Sequence, residues 1–211
     1  MANAIITNLI QIKAINLNLA KPYSWASGWN SPIYCDNRKT LSYPVVRKQI
    51  CDGFTNFIRT QYPEADLIAG VATGAIAHAA LVASSLDLPM IYVRPEPKKH
   101  GLQNQIEGDV TPNQKAVVIE DLISTGGSSL AAVEALRNAG ANVLGMVAIF
   151  TYGFDVAINN FSKAEVPLHT LASYEQLIEQ ATEMGLVHVN ELETLRDWRA
   201  NPGGWGGRVK S

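Results

Sequence analysis

At 211 residues, with 47% hydrophobic and 17% charged residues, the chain has the size and composition of one soluble globular domain with at most a small appended lobe. A formal net charge of −2 argues against broad nucleic-acid binding through a basic face, and no apolar run is long enough to span a bilayer. The N-terminus has no basic region ahead of its apolar residues, and the two cysteines, Cys35 and Cys51, give neither a disulfide framework nor metal-site spacing, so a cytoplasmic protein with reduced thiols is expected.

Ile5, Ile6, Leu9, Ile10, Ile12 and Ile15 fall on one broad helical face and predict a short N-terminal helix. Residues 22–36 are aromatic, small and punctuated by Gly and Pro, which predicts short strands and turns. The two Trp and two Tyr of this stretch suit either a flat platform for a planar ligand or a small aromatic core of their own, and the residues alone favour the core. Pro44 starts a helix, with Ser42 as a candidate cap, and Val46, Ile50, Phe54, Phe57 and Ile58 form its stripe. Residues 66–71 predict a strand, followed by a tight turn, Ala72-Thr73-Gly74-Ala75, and a helix over 76–86. Such a turn either holds an anion through its N–H groups or is a plain strand-to-helix connection. His78, in an Ala-rich helix, is expected to be packed or capping. After a strand at 90–93, residues 94–109 have almost no apolar side chains. They predict a long loop or β-arm, which is either a cationic lid or a solvated hairpin.

The stretch from Val117 to Ser129 is the most informative. Val117, Val118 and Ile119 read as the end of a buried parallel strand. Glu120 and Asp121 follow, then a loop rich in Ser, Thr and Gly, then helical spacing over 130–136. Acids at the carboxyl end of a strand and hydroxyls at a helix start make a phosphate cradle beside two carboxylates. That combination points to a phosphorylated sugar. It is not a P-loop, because no Gly-Lys-Ser/Thr follows, and it lacks the G-x-G-x-x-G dinucleotide fingerprint. A strand over 142–150, a helix over 157–161, an edge strand over 168–172 and helices over 174–184 and 191–200 complete the chain, and a poorly ordered tail is expected from Asn201. The alternation predicts an α/β domain with a mostly parallel sheet and helices on both faces. The three candidate ligand segments follow three successive strands and should meet at one edge.

The Val117 to Ser129 stretch resembles the phosphoribosyl pyrophosphate signature of the type I phosphoribosyltransferases. Three further stretches narrow the resemblance to the orotate-specific branch: Trp25-Ala26-Ser27-Gly28 through Ser31-Pro32-Ile33-Tyr34, Gly70-Val71-Ala72-Thr73-Gly74, and the segment from Arg94 through Lys98 and His100 to Gly101. The resemblance implies a single type I domain over 1–211 with a small N-terminal hood at about 1–40. It also implies transfer of ribose 5-phosphate from 5-phosphoribosyl 1-diphosphate (PRPP) to orotate with Mg²⁺, in de novo pyrimidine synthesis. It gives the ribose hydroxyls to Glu120 and Asp121 and the 5′-phosphate to Ser124, Thr125, Gly126, Gly127 and Ser128, with Leu122 and Ile123 also in the PRPP-binding run. Orotate falls to Ser124 and Tyr34, and the diphosphate to Thr73, Gly74, Arg94, Lys98 and His100. Lys98, His100 and Asp121 are the implied catalytic residues. The metal is implied to sit mainly on substrate oxygens and water, and the lid to act in the neighbouring subunit of a homodimer, with neither nucleic acid nor membrane as a partner. Ala26, Thr73-Gly74, Pro95 and the Arg-free run after Phe150 depart from the enterobacterial pattern, so hood N–H groups are expected to face the orotate carboxylate. A purine-directed member is disfavoured by the hood and His100-Gly101. A ligand-sensing regulator of the same fold is disfavoured by the length and the charge.

Overall fold

The computed structural model describes residues 2–25, 27–95 and 105–206. Helix α1 (Ala2–Gln11) buries Ile5, Ile6 and Leu9. The predicted helical face continues to Ile15, but the helix stops earlier. Lys13 takes a left-handed φ of 55°, the Ala14 N–H bonds back to the Leu9 carbonyl, and Ile15 opens strand β1 (Ile15–Leu17). Strand β2 (Tyr23–Ser24) pairs with β3 (Asn30–Ser31), and β1 pairs antiparallel with β4 (Ile33–Cys35). These two small sheets form the hood. A 3-10 helix, Asn37–Ser42, leads into α2 (Pro44–Gln61), where Pro44 takes the first turn and Tyr43, not Ser42, is the N-cap.

The main sheet then builds in alternation: β5 (Leu67–Val71), α3 (Ile76–Leu86), β6 (Met90–Val93), β7 (Ile106–Glu107), β8 (Lys115–Ile123), α4 (Gly127–Asn138), β9 (Asn142–Thr151), α5 (Asp155–Lys163) and β10 (Leu168–Ser173). Helices α6 (Tyr174–Glu183) and α7 (Leu192–Ala200) follow. The strand order is β10-β9-β8-β5-β6-β7, parallel throughout except that β7 runs antiparallel to β6. Ile68, Val117, Ile119, Val147 and Ile149 face one buried layer with α1, α2, α3, α6 and α7. Their neighbours Leu67, Ala69, Val118, Met146 and Ala148 face the other, with α4 and α5. Two covered faces explain why these strands read as continuous apolar runs.

From β5 the chain crosses through α3 to β6 on one side and later returns to β8 on the other. The connections leaving β5 and β8 therefore diverge, and a crevice opens between their carboxyl ends. The β6–β7 pairing makes the base of the 94–109 segment a short β-arm. Lys98 and His100, with the lid expected around them, lie outside the described residues, as does Ala26. The expectation of a loose tail fails for residues 201–206. The Gly204 N–H bonds to Asn201, Gly203 lies against the Trp29 indole, and Trp205 packs on the main core, because the hood leaves aromatic surface there to cover. Residues 207–211 lie outside the described set.

Candidate active site

Strand β8 carries both acids within it and continues to Ile123, so pleating sends their side chains to opposite faces. Glu120 is 5% exposed. The Asp121 backbone N–H donates to its Oε1 at 2.8 Å and the Ser129 hydroxyl to its Oε2 at 2.8 Å. Burial, reinforced by the Asp121 charge, raises its pKa to about 8. Asp121 faces the crevice, tight against the β5–α3 turn. A Cβ on Gly74 would overlap its carboxyl group, so this close approach requires glycine. The Ala72–Thr73 peptide in this turn is cis. The crevice, about 330 Å³, is lined by Asp36, Arg38, Thr73, Gly74, Asp121 and Ser128 among others.

The loop after β8 is fixed by local demands. Gly126 has a φ of 81°, and a Cβ there would meet the Phe161 ring at 2.7 Å. The Asn160 amide donates to the Thr125 carbonyl at 3.1 Å and pins the loop to α5. Helix α4 begins at Gly127, so the N–H groups of its first turn are available to an anion.

A second cavity, about 380 Å³, adjoins the first and shares Cys35 and Leu122 with it; Ser24, Trp25, Tyr34, Ser124 and Tyr152 also line it. The aromatic stretch forms a core of its own and also lends residues to the wall of this cavity. Trp25 packs on Tyr152 at 4.9 Å between ring centroids and edge-on to Trp198 at 5.7 Å, and Trp29 packs on Phe154 at 6.4 Å, as an aromatic core. Tyr34, exposed and paired with Tyr23, joins Trp25 in walling the cavity. A larger cavity, about 670 Å³, lies between α6 and α7 and contains none of the sequence-predicted residues, so volume alone does not mark the site.

The structure thus gathers Tyr34, Thr73, Gly74, Glu120, Asp121, Leu122, Ser124 and Ser128 around two joined cavities. Ile123 is buried beneath them. Arg94 stands apart, in an ion pair with Glu107 at 3.3 Å across the base of the arm. Sequence reasoning missed Cys35, Asp36, Asn37, Arg38 and Tyr152. Asn37 is 1% exposed; its amide donates to the Asp121 carbonyl at 2.6 Å, and its Oδ1 accepts from the Cys35 thiol at 3.4 Å. The Thr40 hydroxyl donates to the Asn37 carbonyl and lies 3.1 Å from His78 Nε2. With that hydroxyl proton in use, His78 must donate through Nε2. Its Nδ1 has no hydrogen-bond partner among the described residues, and burial lowers its pKa to about 4. His78 is therefore a neutral, packed residue behind the site, as its helix suggested.

Comparison with known proteins agrees with this geometry. Residues 47–169 match the phosphoribosyl transferase domain family. Orotate phosphoribosyltransferase from Cytophaga hutchinsonii is 57% identical over 198 residues, covering 94% of this chain and 95% of that protein. The protein of the same name from Bacillus caldolyticus is 54% identical over 206 residues, covering 98% of this chain and all of its own. The crystal structure of orotate phosphoribosyltransferase from Aeropyrum pernix superposes with a TM-score of 0.76 at 27% identity, covering 87% of this chain and 99% of that one. With a type I fold, a signature strand and an aromatic hood already in place, the chain belongs to the phosphoribosyltransferase family and, within it, to the orotate phosphoribosyltransferases.

Proposed function

We propose that the two joined cavities divide the substrates of the orotate reaction, with PRPP in the crevice and orotate under the hood. The observation that carries this reading is the shared wall. Leu122 and Cys35 border both cavities, so a base in one and a sugar in the other would meet beside Asp121. Asp121, with Glu120 behind it, addresses the ribose hydroxyls. Residues 124–128 and the first turn of α4 hold the 5′-phosphate through backbone N–H groups and hydroxyls. Tyr34, Ser124 and hood N–H groups orient orotate in the cavity that Trp25 and Tyr152 wall together.

In the reaction the ring nitrogen of orotate, having lost its proton to solvent, forms the bond to the anomeric carbon. The bond from that carbon to the diphosphate oxygen breaks, and its electron pair leaves with the diphosphate. Positive charge grows on the sugar and negative charge on the leaving group. Asp121 answers the first, and Lys98, His100 and Arg94 of the arm answer the second. Closing the arm keeps water from the cationic sugar. The arm acts across the interface of a homodimer. The acids and hydroxyls of the crevice are hard oxygen donors of the kind Mg²⁺ takes, and among the described residues no cluster of three metal-type side chains supplies a complete cage. Substrate oxygens and water would hold the ion for the most part, beside Asp121, and its charge would offset that of the diphosphate. Among the described residues no helix is long and apolar enough to cross a membrane. We assign the enzyme to the cytoplasm, where its half-buried thiols Cys35 and Cys51 stay reduced.

The test is base-dependent consumption of PRPP with Mg²⁺. Turnover with orotate and none with purine bases is expected. Turnover of a purine base without orotate turnover would overturn the assignment of substrates to cavities.

A further inference from the structure

The crevice assigned to PRPP has an unfavourable charge balance for a polyanion. Its described lining includes two acids at its mouth, Asp36 and Asp121, a third, Glu120, whose buried carboxyl is held toward its neutral form, and one cation, Arg38. Arg94 is engaged with Glu107 outside that lining. Arg38 stands on the 3-10 helix that follows the hood, with its side chain 61% exposed. Its Nε donates to Asp36 Oδ1 at 2.7 Å, while the Asp36 side chain is only 18% exposed. One edge of the guanidinium is thus fixed to a largely buried carboxylate. The two Nη groups keep the fork geometry that matches a pair of phosphate oxygens.

Arg38 borders the crevice with the Thr73 and Gly74 turn, and it is absent from the wall of the adjoining hood cavity. That position separates it from the orotate ring and puts it with the diphosphate half of the sugar substrate. We propose that Arg38 binds the diphosphate of PRPP, held in place by Asp36, within the same subunit that supplies Asp121. This rests on the reading of the crevice as the PRPP site. It gives the leaving group a cation from the body of the domain, distinct from those of the arm. Because Arg38 is pre-positioned, it contributes to ground-state binding as well as to charge development on the leaving oxygen.

The experiment compares the wild-type protein with Arg38→Ala, Arg38→Lys and Asp36→Asn in Mg²⁺ buffer. It measures the affinities of inorganic pyrophosphate, ribose 5-phosphate and orotate directly by calorimetry, and KM for PRPP and for orotate in turnover. Arg38→Ala is expected to weaken pyrophosphate binding and raise KM for PRPP by about tenfold or more, the loss of one charge-assisted contact. Ribose 5-phosphate affinity and KM for orotate should stay within about twofold. Arg38→Lys, which keeps the charge without the fork, and Asp36→Asn, which frees the guanidinium, should fall between. Unchanged pyrophosphate affinity in Arg38→Ala would overturn the proposal. So would equal losses for all three ligands, which would mark a general field or a structural effect. A wild-type protein inactive with orotate would instead overturn the substrate assignment, and its pyrophosphate affinity would still decide the role of Arg38.

Discussion

Gly74→Ala tests the architecture of the crevice most directly. The new methyl group would overlap the carboxyl of Asp121, with Asp121 Cγ only 2.5 Å from the ideal Cβ position. Ordinary contact needs more than about 3.4 Å, so Asp121 or the turn must move by about 1 Å. A displacement of that size at a reacting centre costs on the order of a hundredfold in rate. Overpacking of this kind costs about 1–3 kcal/mol, which for a chain of this length lowers Tm by roughly 2–12 °C. The assay is loss of orotate absorbance in the presence of PRPP, with Tm measured in parallel. Gly206→Ala serves as the control, because a Cβ there meets nothing within 4 Å. If the effect runs through Asp121, adding Gly74→Ala to an Asp121→Ala background should cost little more activity, since neighbouring sites are not additive. Activity within twofold of wild type in Gly74→Ala would refute the reasoning, as would losses that simply multiply in the double variant.

The buried acid gives a prediction in pH. Because the folded pKa of Glu120 is raised, its proton stabilises the fold fully below about 4.5, and that contribution is lost as pH rises through about 8. Glu120→Gln escapes this loss, so its stability relative to wild type should climb by about 1.4 kcal/mol per pH unit across that window; a gap independent of pH in urea titrations would show that Glu120 is not protonated in the fold. Lys98→Ala should lower kcat by more than roughly tenfold, as removal of a transition-state cation does, and a change confined to KM would remove the lid role. Mixing Lys98→Ala with Asp121→Asn subunits should restore part of the activity if the arm serves the neighbouring site; an inactive mixture would leave each site with its own arm. Trp25→Ala removes a ring that braces Tyr152 and walls the hood cavity. It should lower stability by about 3 kcal/mol and raise KM for orotate more than KM for PRPP, and a selective rise for PRPP would misplace the base.

Most of the fold was legible because the main sheet is covered on both faces. Runs such as residues 67–71 and 142–151 are apolar at nearly every position, and the helices between them carry clear stripes. The misreadings arose where one residue's backbone, or a contact distant in sequence, overrode a local pattern. Ile15 fits the face of α1, but the left-handed turn at Lys13 had already ended the helix. Asn201 to Gly206 has the composition of a tail, yet it meets the Trp29 indole, a contact that no local pattern announces.

The site was legible only where chemistry is local in sequence. The acids of β8 and the hydroxyls before α4 belong to one strand–loop–helix unit, so their grouping could be read from spacing. Asn37 reaches Asp121 across 84 positions, and His78 joins through Thr40 across another 38. Nothing in the run Asp36-Asn37-Arg38 shows that the first residue holds the third or that the middle one holds the backbone of the acid strand. These contacts exist because β4 delivers the chain to the mouth of the crevice at a height set by its pairing with β1. The same pairing brings Cys35 to the wall between the two cavities. Through Asn37, which accepts from the Cys35 thiol and donates to the Asp121 carbonyl, the last strand of the hood is tied to the acid strand by a path of two hydrogen bonds that no stretch of sequence announces.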